Sequence, residues 1–221
     1  MPRHLSSALA VAEEPSTRTR EPELNRAGLL AVAALEFASF GLKGARMEHI
    51  ARSVGITRAM IYYYFGGREG LYLATLEEAY AAIRQQEMAV DTTGLSAVDA
   101  MRKLVEFRID FYAENPTFVA LVSTENQHEG AFLRRSQVVR GRGAANLTRT
   151  RAVLEQGQRE GVFRRDVDPL DLHQAMVSLG IFNVSNRHTF GLIFGRDMTT
   201  SKELQRTRRL ACELVLRYLQ P

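Results

Sequence analysis

Apolar residues recur along this chain at intervals of three and four rather than two. Leu30, Ala33, Ala34, Phe37 and Phe40 form one stripe. Leu71, Ala74, Leu76 and Ile83 form a second, and Met101, Leu104, Val105, Phe111 and Tyr112 a third. Leu147, Leu154 and Val162 trace a weaker one. Leu204, Ala211, Leu214, Val215, Tyr218 and Leu219 make the last. Residues so spaced share one face of an α-helix, so the pattern predicts an all-α fold. The punctuation agrees. Gly41 follows the first stripe, where a left-handed residue stops a helix. Asn115-Pro116 breaks the chain after the third, and Gly161 ends a fourth helix. Asp168-Pro169 reads as an N-cap followed by a first-turn proline. A Tyr72–Met88 helix gives way to the small residues 89–96, and the final helix starts near Ser201.

Composition narrows the class. The 221 residues are 45% hydrophobic, enough to bury a core. No apolar run reaches the roughly 18 residues that span a bilayer, so a membrane protein is not expected. Residues 1–22 are polar, and their apolar stretch, Ala8 to Ala12, is too short for a signal peptide; they read as a disordered tail. The single Cys212 excludes an internal disulfide and a cysteine-based zinc site, and points to the reduced cytoplasm. A net charge of +4 leans mildly toward polyanions. No nucleophile–base pair or phosphate loop is evident, and no pair of carboxylates sits in an apolar setting. Neither catalytic residues nor a cofactor are expected, and the chain does not read as an enzyme. Glu125, His128 and Glu129 span one helical turn and supply too few ligands for a metal.

The segment from Leu42 to Phe65, LKGARMEHIARSVGITRAMIYYYF, carries the chemistry. A short helix from Met47 to Val54 puts Met47, Ile50, Ala51 and Val54 on an inner face. Gly55 then takes a tight turn at positive φ without a Cβ penalty. Ile56 plugs the corner, and Thr57 caps a second helix that runs from Arg58 to about Tyr64, with Ile61 and Phe65 facing the core. Two short helices on a glycine turn form a helix-turn-helix. The outward face carries Arg58, Ala59, Tyr62 and Tyr63. Arginine bonds guanine edges in two places at once, tyrosine hydroxyls bond phosphate, and a small alanine lets the helix sit deep or touch a thymine methyl. Arg46, Arg52 and Arg68 lie nearby in the sequence, suited to phosphate. Alone, the Ile61–Phe65 run also suits a buried strand or core helix; its flanks decide for recognition.

With these marks in hand, residues 23–83 resemble the N-terminal domain of the tetracycline-repressor (TetR) family. Arg26 and Leu30, then Ala34, Phe37 and Gly41, then Ile50-Ala51 and Val54-Gly55-Ile56-Thr57 carry the resemblance. The run from Ile61 to Phe65, and Arg68-Glu69 with Leu71, complete it. Two departures stand out. Arg46 occupies the position where the family usually has Thr or Ser, so that cap bond is lost. Gly66-Gly67 replace the polar residues usual after the phenylalanine. The resemblance implies a three-helix DNA-binding head followed by a helical effector-binding and dimerisation body, residues 84–221. It also implies a homodimer joined by the body's last two helices, a double-stranded palindromic operator as partner, and a small-molecule effector that releases a repressor. The alternative within the same fold is an activator, or a sensor of a protein partner.

For the body, Gly161–Pro169 resembles the connection that precedes the dimerisation helices, and the apolar stripe of Leu204, Ala211, Leu214, Val215 and Leu219 exceeds what a lone surface helix needs. Phe107, Phe111, His128, Met176 and Asn183 are the candidate effector contacts, with Asn126, His173, Asn186 and His188 as further polar candidates. Residues 131–151 hold Arg134, Arg135, Arg140, Arg142, Arg149 and Arg151 and no acid. They read as a solvated face, an anion or DNA contact being the alternative.

Overall fold

In a computed structural model, residues 25–140 and 147–221 are described, and every regular element among them is a helix. The tail expected over 1–22, and Arg142, lie outside the described residues. Eleven α-helices follow in order. The first four are α1 (Arg26–Gly44), α2 (Met47–Ser53), α3 (Arg58–Phe65) and α4 (Arg68–Met88). Then come α5 (Ala97–Glu114), α6 (Pro116–Gln127), the four-residue α7 (Gln137–Arg140) and α8 (Thr148–Arg159). The last are α9 (Pro169–Ser185), α10 (Arg187–Phe194) and α11 (Ser201–Leu219).

The termini form where local chemistry directs. Asn25, Ser96, Asp168 and Thr200 each accept from a backbone N–H in the first turn of the helix they precede. Gly41 breaks α1 at φ 66°. The α4 helix starts at Arg68. The Gly66-Gly67 pair makes this possible: both residues sit at positive φ, 72° and 114°. A Cβ on Gly67 would also lie 3.1 Å from the Tyr62 ring. The departure from family pattern is thus the device that turns α3 into α4 within two residues.

By length and composition α1 is apolar enough to cross a bilayer. Here it is the centre of the head. Leu29, Leu30, Ala33 and Phe37 are buried against Ile50, Ala51, Ile61, Leu71 and Leu76. Full burial of each leucine, isoleucine or phenylalanine among them contributes roughly 1.5–3 kcal/mol. Phe40, expected on the same stripe, is exposed; it lies in the last turn before the Gly41 break. The head core does not stop at α4. Leu121 of α6 and Phe132, which follows α6, complete it. The Phe37, Tyr72 and Phe132 rings stack edge-on at 5.1 Å spacings. Glu125 fixes this junction: its carboxylate accepts the N–H groups of Phe132 and Leu133, both at 2.9 Å.

The body has its own core, where α5 packs against α8, α9 and α11 through Met101, Leu104, Leu154, Leu172, Met176 and Val215. This corrects the reading of the last stripe. Ala211, Val215 and Leu219 are buried within the chain, and the outward apolar edge of α11 is Leu210, Leu214 and Tyr218. The last helix pair is also modified, because α10 intervenes between α9 and α11.

Candidate nucleic-acid interface and body cavities

The α2–α3 unit folds as its sequence directs. Met47, Ile50 and Ala51 are buried, and Ile61 is fully so. Gly55 turns at φ 71°, and Thr57 Oγ1 accepts from Met60 N at 3.3 Å. The first turn of α2 lacks a side-chain cap from Arg46. Its substitute comes from α1. Glu36, buried to 4% exposure, accepts the Arg46 backbone N–H at 2.9 Å and faces His49 Nδ1 at 2.7 Å. Burial alone would raise this carboxyl; the Arg46 N–H, His49 and the Arg46 guanidinium outweigh it and hold it below the usual range. A carboxylate at a helix N-terminus also complements the helix dipole.

On the outward face, Arg58, Ala59, Tyr62 and Tyr63 are all exposed, Tyr63 at 83%. Arg58 is not extended. Its guanidinium lies over the Tyr62 ring at 5.2 Å, donates to the Tyr62 hydroxyl at 3.0 Å, and pairs with Glu48 of α2. Glu48 thus holds the arginine against α2. Arg52 is exposed on the last turn of α2. Arg46 is exposed too, its guanidinium 3.4 Å from Glu36 and over the Phe40 ring. Arg68 is placed differently from its neighbours. Its Nη1 donates to the Leu42 and Lys43 carbonyls, at 2.9 and 2.7 Å, and so clamps the end of α1 to the start of α4.

The five candidate effector residues are not brought together. Met176 is buried in the body core and Phe111 in a separate aromatic cluster, with Phe107 packed beside it. His128 ends α6, its ring nitrogen 3.0 Å from the Thr124 carbonyl and its ring beside Phe132. Asn183 does line a cavity, of about 330 Å³, between α5, α9 and the start of α11. Its amide is already engaged, donating to the Leu179 carbonyl at 2.6 Å. Among the described residues that line that cavity, no charged side chain is buried.

A smaller chamber, about 180 Å³, lies between α4, α5, α6 and α9. Ile83, Phe118, Val122, Val177 and Ile181 give it apolar walls, with Tyr80 and Tyr112 beside them. Its polar side is Glu87, Arg108 and His173, with Arg84 also lining it. Arg108 Nη2 donates to Glu87 Oε1 at 2.6 Å and lies 3.2 Å from His173 Nδ1. Burial, with the Arg108 charge adding to it, lowers the His173 imidazole to about 4, so the ring is neutral at pH 7. Burial raises the Glu87 carboxyl, and Arg108 opposes it. Sequence reading singled out only His173 of this set. Arg108 falls on the inner face of an amphipathic stripe, between Leu104 and Phe111 on one side and Val105 and Tyr112 on the other. A charge there was the available signal.

In the Arg-rich stretch, Arg135 pairs with Glu69 at 3.1 Å, and Arg149 donates to the Met88 carbonyl and to Thr92 Oγ1. These arginines tie the segment after α6, and α8, to α4.

Comparison with known proteins places this geometry. Residues 29–75 match the model of bacterial regulatory proteins of the tetR family, and residues 98–215 that of the tetracyclin repressor-like C-terminal domain. The chain is 32% identical over 203 residues to the HTH-type transcriptional repressor NicS of Pseudomonas putida, covering 92% of this chain and 96% of that one. Among solved structures, a tetR-family regulatory protein from Rhodococcus RHA1 superposes with a TM-score of 0.66 at 21% identity, over 88% of this chain and 96% of that chain. The ketosteroid transcriptional regulator KstR2 of Mycobacterium tuberculosis superposes at 0.65 and 18%, over 90% and 96%. At such identities the structures speak for the fold alone. The two family matches and the full-length relative carry the conclusion that this chain belongs to the tetracycline-repressor family and is a DNA-binding transcriptional repressor.

Proposed function

We propose that this chain acts in the cytoplasm as a homodimer on a palindromic operator and is released by a small-molecule effector. The observation that carries the reading is the shared core at the head–body junction, where Leu121 and Phe132 pack with Phe37 and Tyr72. A change in the body that moves α6 or α4 is then felt in the head, because close-packed interfaces shift between discrete arrangements and do not deform smoothly. The division of labour falls near residue 83, with the head at 23–83 and the body at 84–221.

In this reading Arg58 and Tyr62 meet base edges, while Tyr63, Arg46 and Arg52 hold phosphate. Thr57 and Ala59 let the helix approach closely. Two copies join through α9 and α11, with α10 widening the surface. Phe182, Phe190 and Leu210 share one groove across these three helices, and Leu192, Ile193 and Phe194 are at least 65% exposed on α10. Such a patch is self-complementary under two-fold symmetry. The two recognition helices must then sit about 34–36 Å apart to enter successive major grooves. An effector acts by binding one spacing better than the other.

Fluorescence anisotropy on the DNA upstream of the protein's own gene tests this. A specific, salt-dependent complex of one dimer per site is expected, and a metabolite extract should contain a small molecule that dissociates it. A complex that no small molecule releases would favour a sensor of a protein partner.

A further inference from the structure

Arg108 is buried to 3% exposure, among the most buried charged groups of the chain. A guanidinium has five N–H donors. One nitrogen, Nη2, serves Glu87 and His173, the Tyr112 hydroxyl is a further hydrogen-bond partner of the guanidinium, and the buried Nε makes no hydrogen bond among the described residues. A buried donor left unpaired is costly, and a buried ion pair is seldom kept for stability, since an apolar replacement is often as good. The group therefore points to a ligand. Charge indicates its sign. Arg84 and Arg108 against Glu87 leave the chamber with one net positive charge when His173 is neutral. Size and walls indicate its shape. About 180 Å³ is below the roughly 300–1,000 Å³ typical of sites for drug-sized ligands. Tyr112 stacks with Phe118, and Tyr80 meets Phe118 edge-on, so the walls suit a flat apolar body.

We propose that the effector is a compact monoanion, a small carboxylic acid with a flat apolar body, held in the α4–α5–α6–α9 chamber by Arg108. This rests on the ligand-release reading above. The acid's two oxygens match the guanidinium fork, and in taking Arg108 they compete with Glu87. Glu87 stands at the body end of α4, whose other end carries the Arg68 clamp. Loss of the Glu87 tie frees that helix from α5.

Isothermal titration of the full-length protein with benzoate, phenylacetate and hexanoate, each paired with its amide, tests the class. At least one acid should bind ten times or more tightly than its amide. Arg108→Gln should remove that preference, and Glu87→Gln, which removes the competing carboxylate, should strengthen acid binding several-fold. If Arg108→Gln fails to fold, Glu87→Gln alone still decides, because unchanged or weaker binding of every acid by the folded variant contradicts the competition. Equal binding of acids and amides across the panel overturns the proposal. Anisotropy on operator DNA separates the two levels. An acid that binds but does not release DNA supports the site and refutes the release reading. A neutral molecule that releases DNA while no acid binds refutes the site and leaves the release reading standing.

Discussion

In the head, the outward residues Arg58, Ala59, Tyr62 and Tyr63 lie on two turns of one helix. In the body, the polar side of the chamber is assembled from three helices: Glu87 and Arg108 are 21 positions apart, and Arg108 and His173 are 65 apart. The first surface is exposed, and its charges meet water and salt. The second is buried, and its charges meet one another. A surface that touches a polyanion needs only to present donors at the right pitch, so periodicity specifies it. A chamber that takes a small molecule must also exclude water and satisfy every polar group, which no single element can do. The two are joined by packing, since Phe132 lies beyond the head in sequence and inside it in space.

The largest effect should come from testing where the last stripe is buried. Val215→Glu places a carboxylate in the body core and should give insoluble or unfolded protein. Leu214→Glu, one residue away and facing out, should stay folded and sediment as a monomer. A folded, fully dimeric Leu214→Glu variant would place the dimer contact elsewhere.

Next in size is the junction. Phe132→Ala should cost about 3 kcal/mol, a Tm drop of roughly 10 °C, and should weaken DNA binding although the residue lies outside the head's sequence. Unaltered operator affinity in this variant would separate the two regions that the shared core unites.

The recognition face supplies smaller and more specific effects. Arg58→Ala should lose roughly 10- to 100-fold discrimination between operator variants. Glu48→Gln should raise affinity several-fold at low salt, because the arginine no longer has to leave a carboxylate. Arg68→Ala should lower thermal stability as well as DNA affinity, given its grip on the Leu42 and Lys43 carbonyls. If Arg68→Ala only flattens the salt dependence and leaves Tm untouched, the residue acts as a phosphate contact and not as a clamp.

The smallest effect is in the pH profile. His173 titrates near 4 when folded, against an ordinary 6.5. Its folded value is the lower one, so between those limits the unfolded chain binds more protons and stability falls as pH falls. Glu87, raised by burial, works in the opposite direction. His173→Asn should therefore flatten the decline in Tm between pH 6.5 and 4. An unchanged slope would mean that the imidazole is more open to water than its place in the chamber implies.

The sequence by itself determined the helices, their caps at Thr57 and Asp168, the glycine turn at Gly55 and the outward face of α3. Each depends on contacts within a few residues, where spacing and local hydrogen bonding decide the outcome. Tertiary structure decided the rest. It gave Glu36 the task of capping α2, bound Arg68 to backbone carbonyls, and turned most of the α11 stripe inward. It kept Phe107 beside Phe111 but set His128, Met176 and Asn183 apart from them, and gathered Glu87, Arg108 and His173 around one chamber. Periodicity tells which face of a helix is buried. Which helix buries it is set by the packing of surfaces distant in sequence, and a buried charge finds its partner only there.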